Sequence, residues 1–282
     1  MPPTAAMADA FIARANAELA ELSLFENRAN WVNATNITVD TDWLAANPGA
    51  TPRQFHDRFL SYGVPPVPLV RRVMLGADGS SFQALALVRF GRFADLLQLT
   101  TKPSHPVHDG LWAYGRGLAH LRAGGAAGTD SARAWLARVD SLATHTPSTV
   151  TARQHTAARL LGIVGGILRA ELLVASGQLA DALPVYRSAI ELEEGLTYDE
   201  PEPLPFKTHE FLGAALLEAG RAAEAVPVYE ASLVARPNSG WSLFGLEAAL
   251  RASGRTADAD ATKARFTSAW QRSAVKLGSS RY

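Results

Sequence analysis

Apolar residues recur at helical spacing over most of this chain, and from about residue 81 the helical segments come in pairs. In each pair an apolar stripe is followed by a turn and by a second stripe, which is typical of antiparallel helical hairpins. Five hairpins are predicted, with helices at 82–90 and 92–99, 111–121 and 132–142, 160–176 and 179–193, 208–219 and 222–235, and 241–253 and 256–270. The pattern therefore predicts an all-α fold.

The last hairpins repeat one another at a fixed offset. Three residues of the fourth hairpin recur 34 residues later in the fifth: Leu212, Gly220 and Ala225 are matched by Leu246, Gly254 and Ala259. The third hairpin lies 43 residues before the fourth and shares its Pro-Val-Tyr sequence, at 184–186 and 227–229. Small residues at fixed spacing allow helices to approach closely where they cross. A period of 34 residues predicts an α-solenoid of stacked hairpins.

Individual residues of the repeat have predicted packing roles. The turn glycines, Gly177, Gly220 and Gly254, are expected to end the first helix of each hairpin in the left-handed conformation. Gly213 is the small residue at a helix crossing, and Tyr229 fills the seam to the next repeat.

The segment before the repeats is organised differently. Residues 8–32 carry an apolar stripe with charged residues off it, which predicts one long amphipathic helix. We divide the chain into this helix with its polar extension (1–46), a Pro- and Gly-rich linker (47–80), the helical repeats (81–275) and a tail (276–282). The apolar stripe has to be buried, either in the groove of the repeats or against a copy on another chain, so a homo-oligomer is one possibility.

The repeat pattern, with its turn glycines, aromatic residue and closing Pro237, resembles the tetratricopeptide repeat (TPR) over about 81–275. Residues 88–93, 198–201 and 238–246 also resemble the C-terminal half of larger bacterial TPR proteins of unassigned role. The resemblance implies a non-enzymatic interaction or scaffold module that binds a protein partner, as a peptide or helix, on its concave face. A third interpretation is that the chain is a truncated piece of a larger repeat protein or a fusion of two gene fragments.

A second resemblance covers residues 11–41, in particular the run Glu-Asn-Arg-Ala-Asn-Trp-Val-Asn at 26–33. It is similar to the N-terminal helix of the peptidases related to angiotensin-converting enzyme (the M2 family), which hold zinc on a His-Glu-x-x-His helix. His209-Glu210 begins such a motif, but Gly213 stands where the second imidazole is needed. The alternative interpretation is a degenerate or fused fragment of such a peptidase that lacks the zinc site.

Composition narrows the function classes. The 27 basic and 27 acidic residues cancel, so nucleic acid is not an expected partner. There is no cysteine, which excludes disulfides, thiolate nucleophiles and Cys-ligated zinc. No apolar run is long enough to span a membrane, and the first 25 residues lack an apolar signal core, so a cytoplasmic location is expected.

No catalytic residue, cofactor or metal is expected. A Gly-rich phosphate loop and a Gly-x-Ser-x-Gly elbow are both lacking in the sequence. The cluster His105, His108 and Asp109 lies in a predicted Pro-rich loop between hairpins, where a solvated loop is a better interpretation than a metal site.

The candidate binding residues lie on the stripe of the first helices that is expected to face the concave side: Glu171, Lys207, Glu210, Trp241, Phe244 and Arg251. Lys207 and Arg251 are too few cations for a clamp on a peptide carboxylate, whereas an apolar groove suits an amphipathic helix or an extended hydrophobic peptide. Alternatively, these residues pack against neighbouring repeats. A nine-residue insertion before the fourth hairpin, with Tyr198, Asp199 and Glu200, either helps to bind or acts as a proline spacer.

Overall fold

The computed structural model describes residues 81–152, 154–197, 202–271, 273 and 275–282. The predicted N-terminal amphipathic helix, its polar extension and the linker lie outside the described residues, and so do Tyr198, Asp199 and Glu200 of the insertion. The helices of the described residues belong to one compact unit.

The described ranges are mostly helical, which confirms the all-α prediction. Their helices are α1 (Ser81–Arg89), α2 (Phe93–Leu97), α3 (Pro106–Ala123), α4 (Gly125–His145), α5 (Ala157–Ala175), α6 (Leu179–Glu194), α7 (Thr208–Glu218), α8 (Ala222–Ala235), α9 (Gly240–Ala252) and α10 (Thr256–Trp270). Two antiparallel two-residue strands, β1 (Thr151–Ala152) and β2 (His155–Thr156), connect α4 to α5.

Consecutive helices pack as hairpins, and the hairpins stack. α3 packs on α4, α5 on α6, α7 on α8 and α9 on α10, while α4 touches α5 and α8 touches α9. The first helices of these hairpins also contact one another in order, from α3 through α5 and α7 to α9, and α1 packs on α3. We call the surface that α3, α5, α7 and α9 share the first-helix face. The arrangement is the predicted α-solenoid of antiparallel helix pairs.

The packing roles of the repeat residues are confirmed at the fourth hairpin. Gly213 of α7 and Gly245 of α9 both face the fully buried ring of Tyr229, and a methyl group at either glycine would overlap that ring. Gly220 has φ of 71°, in the left-handed region that ends a first helix without steric cost to glycine. Gly177 and Gly254 follow the same geometry.

Two local predictions are wrong at the second hairpin. The second helix, expected over 132–142, already begins at Gly125 as α4, so the turn of this hairpin is confined to Gly124. The expected loop at His105 to Asp109 is the first turn of α3, since Pro106 at the first helical position needs no hydrogen-bonded N–H. Asp109 is buried there and pairs with Arg138, so this cluster is not a solvated loop.

No helix in the described ranges is long and apolar enough to cross a membrane.

Candidate binding site: a buried charge network on the first-helix face

Glu210 anchors the first of two buried ionic clusters. It lies in the first turn of α7 with none of its surface exposed, and its carboxylate accepts two hydrogen bonds from the Arg89 guanidinium, at 2.5 and 3.2 Å. The hydroxyl groups of Ser239 and Ser242 donate to the same carboxylate at 3.0 Å each, and the Lys207 backbone N–H donates at 3.2 Å. One buried carboxylate therefore ties α1 and α9 to the start of α7.

Glu171 of α5 anchors the second cluster and is equally buried. Its carboxylate accepts hydrogen bonds from Arg122 of α3 and from the Tyr186 hydroxyl of α6. Two further donors come from the last residues of the sequence: Arg281 at 2.7 Å and the Tyr282 hydroxyl at 3.1 Å. Two guanidinium groups thus face one buried carboxylate, which offsets the cost of removing these charges from water.

Residues 279–282, which we call the closing segment, lie on the first-helix face and link the two clusters. The Ser280 hydroxyl donates to the backbone carbonyl of Glu210 at 2.9 Å and lies 2.7 Å from the Tyr229 hydroxyl. Only 2% of Ser280 and 3% of Arg281 is exposed, so the middle of this short polar segment is buried as deeply as the helical core.

Aromatic rings and a second carboxylate complete the contacts of the closing segment. The Tyr282 ring lies edge-to-face against Phe93 at 5.2 Å and against Phe211 at 6.1 Å, and the Arg122 guanidinium lies 4.4 Å from its centre. Arg281 also bonds Glu218 at the end of α7, at 2.5 Å. The segment therefore contacts several helices at once.

The structure brings some of the predicted groove residues together. Glu171 and Glu210 are joined through the closing segment, and Glu210 is joined to Trp241 through Arg89, whose guanidinium lies 3.6 Å from the centre of the Trp241 ring. Lys207 is half-buried, with its ammonium 3.5 Å from the Glu193 carboxylate.

Phe244 and Arg251 take no part in that network. Phe244 contacts Phe266 of α10 at 5.8 Å between ring centres. Arg251 is exposed and donates to Glu247 at 2.8 Å and to Asp260 at 2.9 Å, both within its own hairpin. These two residues lie where α9 packs on α10, apart from the closing segment.

Sequence reasoning missed the cations that neutralise the two glutamates. Arg89, Arg122 and Arg281 lie far along the chain from their partners: Arg89 and Glu210 are 121 positions apart, and Arg281 and Glu171 are 110 positions apart. One signal was present: Glu171 and Glu210 stand in otherwise apolar first-helix stripes, where a carboxylate needs a cationic partner.

Buried tyrosines surround the clusters. Burial, reinforced by the negative charge of Glu171, raises the pKa of both Tyr114 and Tyr186 well above the ordinary value. Burial also raises the pKa of Tyr229, although its bond to Ser280 opposes the shift. The Tyr114 hydroxyl is fully buried and has no hydrogen-bond partner among the described residues. All three phenols stay neutral at physiological pH.

The His209-Glu210 pair has no geometry for zinc. Burial lowers the pKa of His209 despite the nearby carboxylates of Glu193 and Glu194. A Cβ at Gly213 would lie 2.7 Å from Cε1 of Tyr229, so the helix crossing leaves no room for a second imidazole. The described part of the chain contains no group of three side chains that could hold a metal ion.

No protein-family model matches this chain, and no curated protein matches it either. A solved structure titled "MamA AMB-1 C2221" is similar at 20% sequence identity, covers 67% of this chain and 95% of that chain, and has a TM-score of 0.35. A likeness at that TM-score carries no functional argument. The resemblance of residues 11–41 to the M2 peptidases gains no support from these comparisons.

Proposed function

We propose that this chain is a protein-interaction module whose first-helix face binds an extended peptide, and that the closing segment occupies this site as an internal ligand. The observation that carries the proposal is the burial of Ser280 and Arg281, whose side chains hydrogen-bond to residues of α5, α7 and α8. A surface that binds one extended segment through its side chains has the chemistry to bind another of the same type.

The contacts define the kind of peptide. The buried Glu171 carboxylate selects a guanidinium, because charge-assisted hydrogen bonds to a desolvated carboxylate are the strongest available to a peptide side chain. Phe93 and Phe211 select an aromatic ring at the next position. The preferred ligand is therefore a Ser-Arg-Tyr type of sequence, more polar than the hydrophobic peptide that the stripe of first-helix residues predicts.

The test is a variant that ends at residue 278, combined with a synthetic peptide of residues 276–282 (Lys-Leu-Gly-Ser-Ser-Arg-Tyr). Isothermal titration calorimetry should show one peptide bound per shortened chain and no binding to the full chain, whose site is filled. A peptide with alanine in place of Arg281 should bind at least about tenfold more weakly, since a hydrogen bond to a charged group contributes roughly 1.5–3 kcal/mol.

The matched control is a peptide of the same composition in scrambled order. Equal binding of the scrambled peptide, or no binding to a shortened chain whose circular dichroism remains helical, would overturn the proposal. If the shortened chain does not fold, the full chain with both Arg281→Ala and Tyr282→Ala serves instead, and should gain affinity for the native peptide.

No observation in the described residues favours the peptidase alternative. A cytoplasmic location and a homo-oligomer through residues 8–32 are further parts of this proposal.

A further inference from the structure

A second site lies outside the contacts of the closing segment. A pocket of about 440 Å³ opens where the connection between α8 and α9 meets the end of α1, and its walls include Arg89, Arg236, Trp241 and Trp270. Small-molecule sites in proteins typically occupy about 300–1,000 Å³. The volume is therefore that of a small-ligand site.

The pocket is cationic. Among its described lining residues are two guanidinium groups and no carboxylate. Arg89 is held in place by Glu210 behind the wall, while Arg236 is half-buried and donates to the Leu204 carbonyl at 3.2 Å. Burial, together with the like charge of Arg89, lowers the pKa of Arg236 to about 10. An anion in the pocket would offset both effects.

The remaining walls combine the two tryptophan rings with small and proline residues and with the polar Asn238 and Ser239. The rings of Trp241 and Trp270 meet edge-to-face with centres 4.5 Å apart, and a side chain at Gly240 would overlap the Trp270 ring, so glycine is required there. The indole N–H of Trp241 is buried and has no acceptor among the described residues. The pocket thus offers an aromatic surface beside the guanidinium groups.

We propose that this pocket binds an organic anion, a carboxylate or phosphate group carried on an aromatic body. The Arg236 guanidinium takes the oxyanion, because its N–H groups match the geometry of a carboxylate or phosphate, while Arg89, whose terminal N–H groups bond Glu210, contributes positive charge at the wall. The tryptophan rings take the aromatic body. The site is independent of the proposed peptide site.

The experiment is calorimetric titration of the full chain with benzoate and with phenyl phosphate, against benzyl alcohol and inorganic phosphate as controls. At least one of the two aromatic anions should bind more tightly than both controls, and the tighter one identifies the acid group. Arg236→Gln should weaken that binding about tenfold or more, because a hydrogen bond to a charged group is lost. Arg255→Gln, which removes the same charge from an exposed ion pair with Asp258, should leave the binding unchanged.

Quenching of tryptophan fluorescence by the bound anion gives a second readout, which Trp270→Phe should reduce. Arg236→Lys keeps the positive charge and should restore part of the affinity lost in Arg236→Gln. The proposal is wrong if neither aromatic anion binds at millimolar concentration, if inorganic phosphate binds as tightly, or if helical Arg236→Gln and Arg255→Gln proteins show the same affinity.

Discussion

At the residue scale, Gly213 sets the distance between α7 and α8, the two helices of the fourth hairpin, because its missing side chain makes room for the Tyr229 ring. A methyl group there would lie within 2.7 Å of Tyr229 Cε1 in a fully buried seam. We expect Gly213→Ala to lower the free energy of unfolding by roughly 1–3 kcal/mol through overpacking. Urea denaturation followed by circular dichroism measures the change. Gly278→Ala is the matched control, since a Cβ there meets nothing within 4 Å, and an equal loss in both variants would refute the packing argument.

Glu171 makes an electrostatic prediction at the same scale. Glu171→Gln removes the charge that Arg122 and Arg281 share in the interior, and breaking a buried ion pair from one side costs roughly 3–5 kcal/mol. The free energy of unfolding from urea titration should fall accordingly. The control is Glu224→Gln, which breaks an exposed pair with Arg221 and should change the unfolding midpoint little. Similar midpoints for the two variants would contradict the role assigned to Glu171.

At the element scale, the sequence was enough to predict the last three hairpins almost to the residue. Hydrophobic periodicity and turn glycines report local structure, and both depend on residues within one or two helical turns. The closing segment could not be predicted, because four polar residues after a helix carry no periodicity and their partners lie on distant helices. The start of α3 was missed because a proline was interpreted as a loop signal, although the first helical position accepts it.

The turn glycines allow a backbone effect to be measured without a packing effect. Gly220 has φ of 71° and open space around its Cα, so a substitution there adds strain but no clash. Gly220→Ala should therefore lower the free energy of unfolding by roughly 1–2 kcal/mol. Gly220→Asn should cost less, because asparagine tolerates the left-handed region better than alanine. Thermal melts compare the loss of stability in the two variants. An equal loss, or a larger loss in Gly220→Asn, would refute the view that glycine is needed at 220 for its left-handed backbone conformation.

At the scale of the described unit, the two ionic clusters connect hairpins that are not neighbours. In a simple solenoid each repeat contacts only the next. Here Arg89 of α1 reaches Glu210 of α7 and the Trp241 ring of α9, and Arg281 reaches Glu171 of α5. These links join the buried glutamates and tyrosines of several hairpins into one connected interior.

That interior predicts how stability depends on alkaline pH. The pKa values of Tyr114, Tyr186 and Tyr229 are raised in the folded state, whereas the unfolded value is near 10. Their contribution to stability is complete below about pH 10 and is lost above it, because the unfolded chain then releases protons that the folded chain retains. Each such tyrosine should reduce the free energy of unfolding by about 1.4 kcal/mol per pH unit above pH 10.

Urea denaturation at a series of alkaline pH values measures that slope, and Tyr114→Phe isolates one contribution to it. The Tyr114 hydroxyl has no hydrogen-bond partner among the described residues, so its removal should leave stability at neutral pH unchanged or improved. The loss of unfolding free energy per pH unit above pH 10 should become smaller by the contribution of one tyrosine, since the folded chain then retains one buried phenol proton fewer. An unchanged slope in Tyr114→Phe would mean that this phenol ionises equally easily in the folded and the unfolded chain. That result would contradict the raised pKa expected from its burial.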